Sequence, residues 1–137
     1  MTIHTINPTT VCAPLGAYSQ GILTIGSGRT LHIAGQIGMR EDGYVGTDFD
    51  EQADAAWKNI VNILHAAGMD VSNLVKVVTY LTDPRDASKL SEIRRKYLGN
   101  SRPASTAVVV RSLLKPDWLI EIEATAFAAQ GEGRPSL

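Results

Sequence analysis

The chain has 137 residues, 44% of them hydrophobic and 20% charged, with a formal net charge of -1. That length suits one domain, residues 1–137, with its own core, and a near-neutral balance without a Lys/Arg cluster argues against nucleic acid as a partner. The single cysteine, Cys12, excludes an internal disulfide and a cysteine-based zinc site, and no apolar run reaches the length of a membrane span.

The start lacks a basic segment followed by an apolar one, so a cytoplasmic protein without a membrane partner is expected. Residues 1–18 read as irregular, with Pro8 and Pro14 and a short strand at 2–6. A strand over 21–25, a Gly26-Ser27-Gly28 turn and a resumed strand over 31–34 read as a hairpin. Four glycines between Gly35 and Gly46 read as a loop.

Phe49, Ala53, Ala56, Trp57, Ile60, Ile63, Leu64 and Ala67 then fall on one helical stripe, which predicts a helix over 50–67. Asp48 or Asp50 can cap its start, and Gly68 suits a left-handed C-terminal cap. A Val-rich strand follows over 74–81, stopped by Asp83-Pro84. Asp86 is expected to cap a second helix over 87–98, which Gly99 ends. Two further strands are expected over 105–110 and 118–128, with a frayed tail over 130–137.

The order ββ-α-β-α-ββ is an α+β pattern. Its natural solution is one mixed sheet with both helices on one face. The other face is then left to be covered by a second copy or to stay partly wet. Apolar runs such as Ala107-Val108-Val109-Val110 favour self-association.

Glu121 and Glu123 share parity in the last strand with Leu119 and Thr125, while Ile120, Ile122, Ala124 and Ala126 point the other way. The glutamates either solubilise one sheet face or supply a general acid/base carboxylate at a cleft. Arg102 either forms a surface ion pair or grips a substrate carboxylate through bidentate hydrogen bonds. Tyr18, after the Pro14–Gly16 bend, places a hydroxyl in a pocket or packs in a core or interface. His4, His32 and His65 share no metal-ligand spacing, no metal is expected, and Cys12 has no histidine beside it to make a thiol nucleophile.

Four segments taken together resemble the Rid (reactive intermediate deaminase) family, also called YjgF and once labelled L-PSP endoribonuclease. They are Pro14-Leu15-Gly16-Ala17-Tyr18-Ser19-Gln20-Gly21, Ala34-Gly35-Gln36-Ile37-Gly38, Arg102-Pro103-Ala104-Ser105-Thr106 and Ile120-Glu121-Ile122-Glu123-Ala124. The likeness spans residues 10–128. It implies the chorismate-mutase-like YjgF/L-PSP fold, a mixed β-sheet backed by two helices. It also implies a homotrimer with three sites in the clefts between subunits, and hydrolysis of a small imine or enamine to a carbonyl compound and ammonia without a cofactor.

By the same resemblance, Tyr18 is the pocket tyrosine, Gly35 the glycine that brings backbone close to the ligand, and Glu121 the carboxylate that positions or activates water. Three positions depart from the pattern. Ser105 stands where active imine deaminases carry the arginine that grips the substrate carboxylate. Ala34 replaces a serine or threonine, and Ala107 stands where many members have a reactive cysteine. A lost charged contact of this kind costs about 2–5 kcal/mol when its partner charge stays buried, and a serine cannot replace it. Deamination of 2-iminopropanoate or 2-iminobutanoate is therefore expected to be weak or absent. The expected substrate is a different small imine or enamine, such as the ring-cleavage product 2-aminomuconate. The alternatives are a trimer that binds a small metabolite without turnover and, less favoured by the charge, a ribonuclease.

Overall fold

The computed structural model describes residues 2–133. Its elements in chain order are β1 (Ile3–Ile6), β2 (Gly21–Thr24), β3 (Gly28–Ile37), α1 (Phe49–Ala66), β4 (Leu74–Leu81), α2 (Leu90–Leu98), β5 (Ala104–Val109) and β6 (Ile120–Ala129). The α+β class, the strand and helix order and the mixed sheet with two packed helices are those read from the sequence.

The expected hairpin between the second and third strands does not form. β2 pairs antiparallel with β1 as a separate two-stranded ladder, while β3 joins a four-stranded sheet of order β3-β6-β4-β5. The Gly26–Gly28 turn, with Gly26 at φ 96°, redirects the chain between the two sheets. The predicted loop also starts too early, because β3 runs on to Ile37 through a bulge between Ile33 and Gln36. There Ala34 and Gly35 stand against the single residue Glu123 of β6, and a bulge is where a glycine tolerates a kinked strand.

α1 starts where Asp48 accepts a hydrogen bond from the Glu51 backbone N–H at 2.8 Å. Gly68, at φ 70°, takes the left-handed position just past its end. Asp86 does not cap the second helix. Asp83 instead accepts from the Arg85 N–H and opens a 3-10 segment over Pro84–Lys89, with the α-helix beginning only at Leu90. Proline at the first position favours this: its fixed φ suits a helix start and its missing N–H needs no partner there.

Ala53, Ala56, Trp57, Ile60 and Leu64 of α1 pack in one core with Ile33, Val77, Leu81, Leu90, Leu98, Ile120, Ile122 and Ala124. Both helices thus bury their apolar stripes on the same sheet face, which is the main source of stability for a domain of this size. Trp57 and Tyr97 stack with ring centroids 6.0 Å apart, tying α1 to α2. The opposite sheet face carries His32, Lys76, Tyr80, Glu121, Glu123 and Thr125, none of them buried. The start of the expected tail is held: Gln130 donates to the Ser27 carbonyl at 3.0 Å, and Arg29 donates to the Glu132 carbonyl at 2.6 Å. The rest of it, 134–137, lies outside the described residues.

Candidate functional site

β6 alternates as its sequence dictates. Ile120, Ile122, Ala124 and Ala126 are buried against the helices, and Glu121, Glu123 and Thr125 stand half-exposed on the other face. Leu119, just before the strand, packs against the core. The entry to β6 is fixed by Gln52, a fully buried amide on α1 that the sequence reading passed over. Its Nε2 donates to the carbonyls of Gly46 and Asp117 at 2.8 and 2.9 Å, and its Oε1 accepts from the Leu119 N–H at 2.8 Å. A glutamine on an otherwise apolar helical stripe was the available signal, since a buried amide needs such partners.

Glu121 lies in register with Ile37 of β3 on one side and Tyr80 of β4 on the other. Its carboxylate leans toward β3 and covers Gly35. A Cβ placed on Gly35 would overlap Glu121 Oε2 and lie 2.8 Å from its Cδ and 3.0 Å from its Cγ. Glycine at this position is what lets the carboxylate lie against the strand backbone. Ala34 adjoins it, exposed, and lines a cavity of about 440 Å³ with His32, Lys76, Val78, Glu123 and Thr125. Glu123 turns the other way and accepts a hydrogen bond from the Tyr80 hydroxyl at 2.8 Å. That bond, with burial and the charges of Glu123 and Glu121 after it, raises the Tyr80 phenol above its ordinary value of 10 and keeps it protonated. Tyr80 was not read as a site residue. Its only signal was outward parity in a strand otherwise rich in valine.

The remaining expected site residues gather at the far edge of the sheet. Ser19 runs alongside β5 in a parallel bridge to Ala104, its N–H donating to the Pro103 carbonyl at 3.1 Å and its hydroxyl to the Arg102 carbonyl. This staple seats Tyr18, half-buried, next to the start of β5, with its hydroxyl accepting from the Leu15 N–H at 3.2 Å. Ser105 and Ala107 pair with buried Val77 and Thr79, so they share the helix-side face, while Thr106 and Val108 share the face of Glu121. Arg102 turns back along its own chain. It lies outside the strand, exposed, and its guanidinium donates to the Gly99 and Ser101 carbonyls at 2.8 and 3.0 Å.

One chain therefore brings Glu121, Gly35 and Ala34 together and, separately, Tyr18, Ser105, Ala107 and the backbone around Arg102. Across the sheet Ala34 and Gly35 of β3 are three strand spacings, about 14 Å, from β5, and Glu121 of β6 is two, about 10 Å. Among the described residues no cluster of three His, Cys, Asp or Glu side chains could hold a metal ion, and no helix is long and apolar enough to cross a membrane.

Residues 9–128 match the model of the family described as Endoribonuclease L-PSP. A RutC family protein of Pyrococcus horikoshii is 42% identical over 116 residues, covering 83% of this chain and 89% of the relative. The human 2-iminobutanoate/2-iminopropanoate deaminase is 40% identical over 114 residues, covering 82% of this chain and 80% of that protein. Among solved structures, a Yersinia pestis protein of unknown function from the conserved Rid protein family superposes with a TM-score of 0.83 at 32% identity, over 93% of this chain and all of that one. RidA from an Antarctic Psychrobacter gives 0.70 at 33% identity, over 93% and 99%. With the same element order, the same mixed sheet and matches along nearly its whole length, this chain belongs to the Rid family, the RidA/YjgF proteins formerly called endoribonuclease L-PSP.

Proposed function

We propose that this protein is a Rid-type hydrolase that deaminates a small imine or enamine other than 2-iminobutanoate or 2-iminopropanoate. The observation that carries the reading is the carboxylate of Glu121 lying directly over the Gly35 backbone at a free sheet edge. In this reading the carboxylate accepts a proton from water as the water oxygen bonds to the C=N carbon. The carboxylate returns that proton to the nitrogen, giving a carbinolamine, and the hydroxyl proton then passes to the nitrogen as the C–N bond breaks, releasing ammonia and leaving a carbonyl product. Positioning and proton transfer of this kind contribute about 10²–10⁴-fold. The chain needs no cofactor for these steps.

The site is complete only between copies. Glu121 with Gly35 lies toward one free edge and Tyr18 with Ser105 along the other, so head-to-tail contact of β3 with the next copy's β5 edge joins the two halves. A head-to-tail interface whose rotation closes makes a ring, and the trimer of the resemblance is such a ring. Ser105 leaves the β5 half without a guanidinium, and Arg102 is occupied by its own backbone neighbours. A substrate held mainly by a carboxylate next to the imine carbon finds no guanidinium at position 105, which favours a longer or differently placed polar group, as in 2-aminomuconate.

Ammonia release from 2-aminomuconate, 2-iminobutanoate and 2-iminopropanoate tests this. The expected outcome is faster turnover of the first, with Glu121→Gln lowering it by at least about tenfold. Equal rates for wild type and Glu121→Gln on every substrate overturn the reading. The absent arginine also supports a second one, a cleft that binds a metabolite without turnover. Calorimetric binding of the corresponding carbonyl products with no ammonia release from any imine would select it.

A further inference from the structure

We propose that Tyr80 is a positioning residue that makes Glu121, and not its neighbour Glu123, the working carboxylate. This rests on the reading of Glu121 given above. The outward row of β6 presents two carboxylates on one face, two residues or about 7 Å apart. Both side chains are flexible, and nothing in β6 itself distinguishes them.

The neighbouring strands supply the distinction. Tyr80 stands opposite Glu121 in the β4–β6 ladder, and its hydroxyl reaches diagonally to Glu123 Oε1 at 2.8 Å. The ring therefore fills the β4 flank of Glu121 while its tip fixes Glu123. On the β3 flank Gly35 offers no side chain, and there the Glu121 carboxylate lies. A blocked flank and an open flank send the two carboxylates in opposite directions. The other groups on this face do not do this. Lys76 of β4 donates to the Thr106 hydroxyl of β5 at 3.3 Å, and neither His32 of β3 nor Thr125 of β6 hydrogen-bonds to either glutamate through its side chain. A tyrosine that only packed would not need its hydroxyl, whereas this one holds a carboxylate whose charge otherwise competes for the space over Gly35.

The test compares Tyr80→Phe, Glu123→Gln and the double variant. Tyr80→Phe keeps the ring and frees Glu123. The expected result is a fall in kcat for ammonia release of about tenfold with KM changed less than about twofold, the scale of one hydrogen bond to a charged group. The NOE between Gly35 Hα and Glu121 Hγ is expected to weaken in parallel. Glu123→Gln alone stays near wild type. Added to Tyr80→Phe it restores both readouts, because the rival charge is gone. The proposal is overturned by a Tyr80→Phe protein with wild-type kcat and NOE, or by a double variant no better than Tyr80→Phe. If wild type and Glu121→Gln release ammonia equally, the hydrolase reading fails, and the NOE still decides the role of Tyr80.

Discussion

Gly35 and Gly38, three residues apart, are glycines for different reasons. At Gly35 the neighbour is the flexible end of Glu121. At Gly38 it is the backbone of α1, with Gln52 Cα 2.5 Å and Gln52 C 2.8 Å from a built Cβ. Gly35→Ala can be accommodated by swinging the carboxylate away, so its unfolding temperature is expected to stay within about 3 °C of wild type while ammonia release falls at least about tenfold. Gly38→Ala must push the helix off the strand, and overpacking of that kind costs about 1–3 kcal/mol. Thermal unfolding of the two variants beside their turnover separates a functional glycine from a structural one. Loss of stability in Gly35→Ala comparable with that in Gly38→Ala would mean that Glu121 is rigidly held, contrary to this account.

At the scale of elements, the site depends on α1 keeping its place. Asp54 clamps α1 to α2: Lys96 Nζ donates to it at 2.7 Å, the Tyr97 hydroxyl also donates, and Lys58 lies 3.7 Å away. Burial alone pushes the Asp54 carboxyl up, but the bonds from Lys96 and Tyr97 and the charges of Lys96 and Lys58 outweigh it and lower it below 3.8. A carboxyl lowered by folding contributes stability above its unfolded value, and that contribution is lost as pH falls through the folded one. Asp54→Asn should therefore be less stable than wild type at pH 7, and the gap should close as pH falls through the lowered carboxyl value of the folded state. Urea unfolding of both proteins at several pH values measures this. A gap that persists unchanged into acid would assign the loss to packing and not to charge.

At the scale of the whole molecule, the two halves of the proposed site lie toward opposite edges of the sheet, and several large apolar residues are exposed. Leu15, 90% exposed, is near Tyr18 in sequence. Leu114, 93% exposed, lies in the loop after β5, whose Val108 and Val109 are also open. Side chains this apolar are seldom left so bare unless an interface takes them up. A shared site has a specific consequence. If the proposed trimer forms, Tyr18→Phe and Glu121→Gln proteins, each weakened in every site, are expected to regain activity on mixing and reassembly, since some interfaces then carry Tyr18 from one copy and Glu121 from the other. Rates measured after mixing, compared with the sum of the separate rates, check it. No gain despite exchange of subunits would place both halves' work within one chain.

Much of the molecule was legible from local pattern. The stripe from Phe49 to Ala67 specified α1, and the alternation from Ile120 to Ala126 specified which way Glu121 points. The Asp48 cap and the left-handed Gly68 followed from residue type alone. These depend on period and backbone preference, which neighbours along the chain determine. The errors came where pairing over long distance decided. β2 chose β1 over β3, and β3 continued through glycines that read as a loop because β6 was there to pair with it. The sequence by itself determined the class, the element order, the family and the outward direction of Glu121. Only the tertiary structure decided that Glu121 rests on Gly35, that Tyr80 draws Glu123 aside and that Tyr18 and Ser105 lie along the opposite edge. Each of these is a contact between strands far apart in the chain, and strand order and register are settled by the packing of the whole sheet.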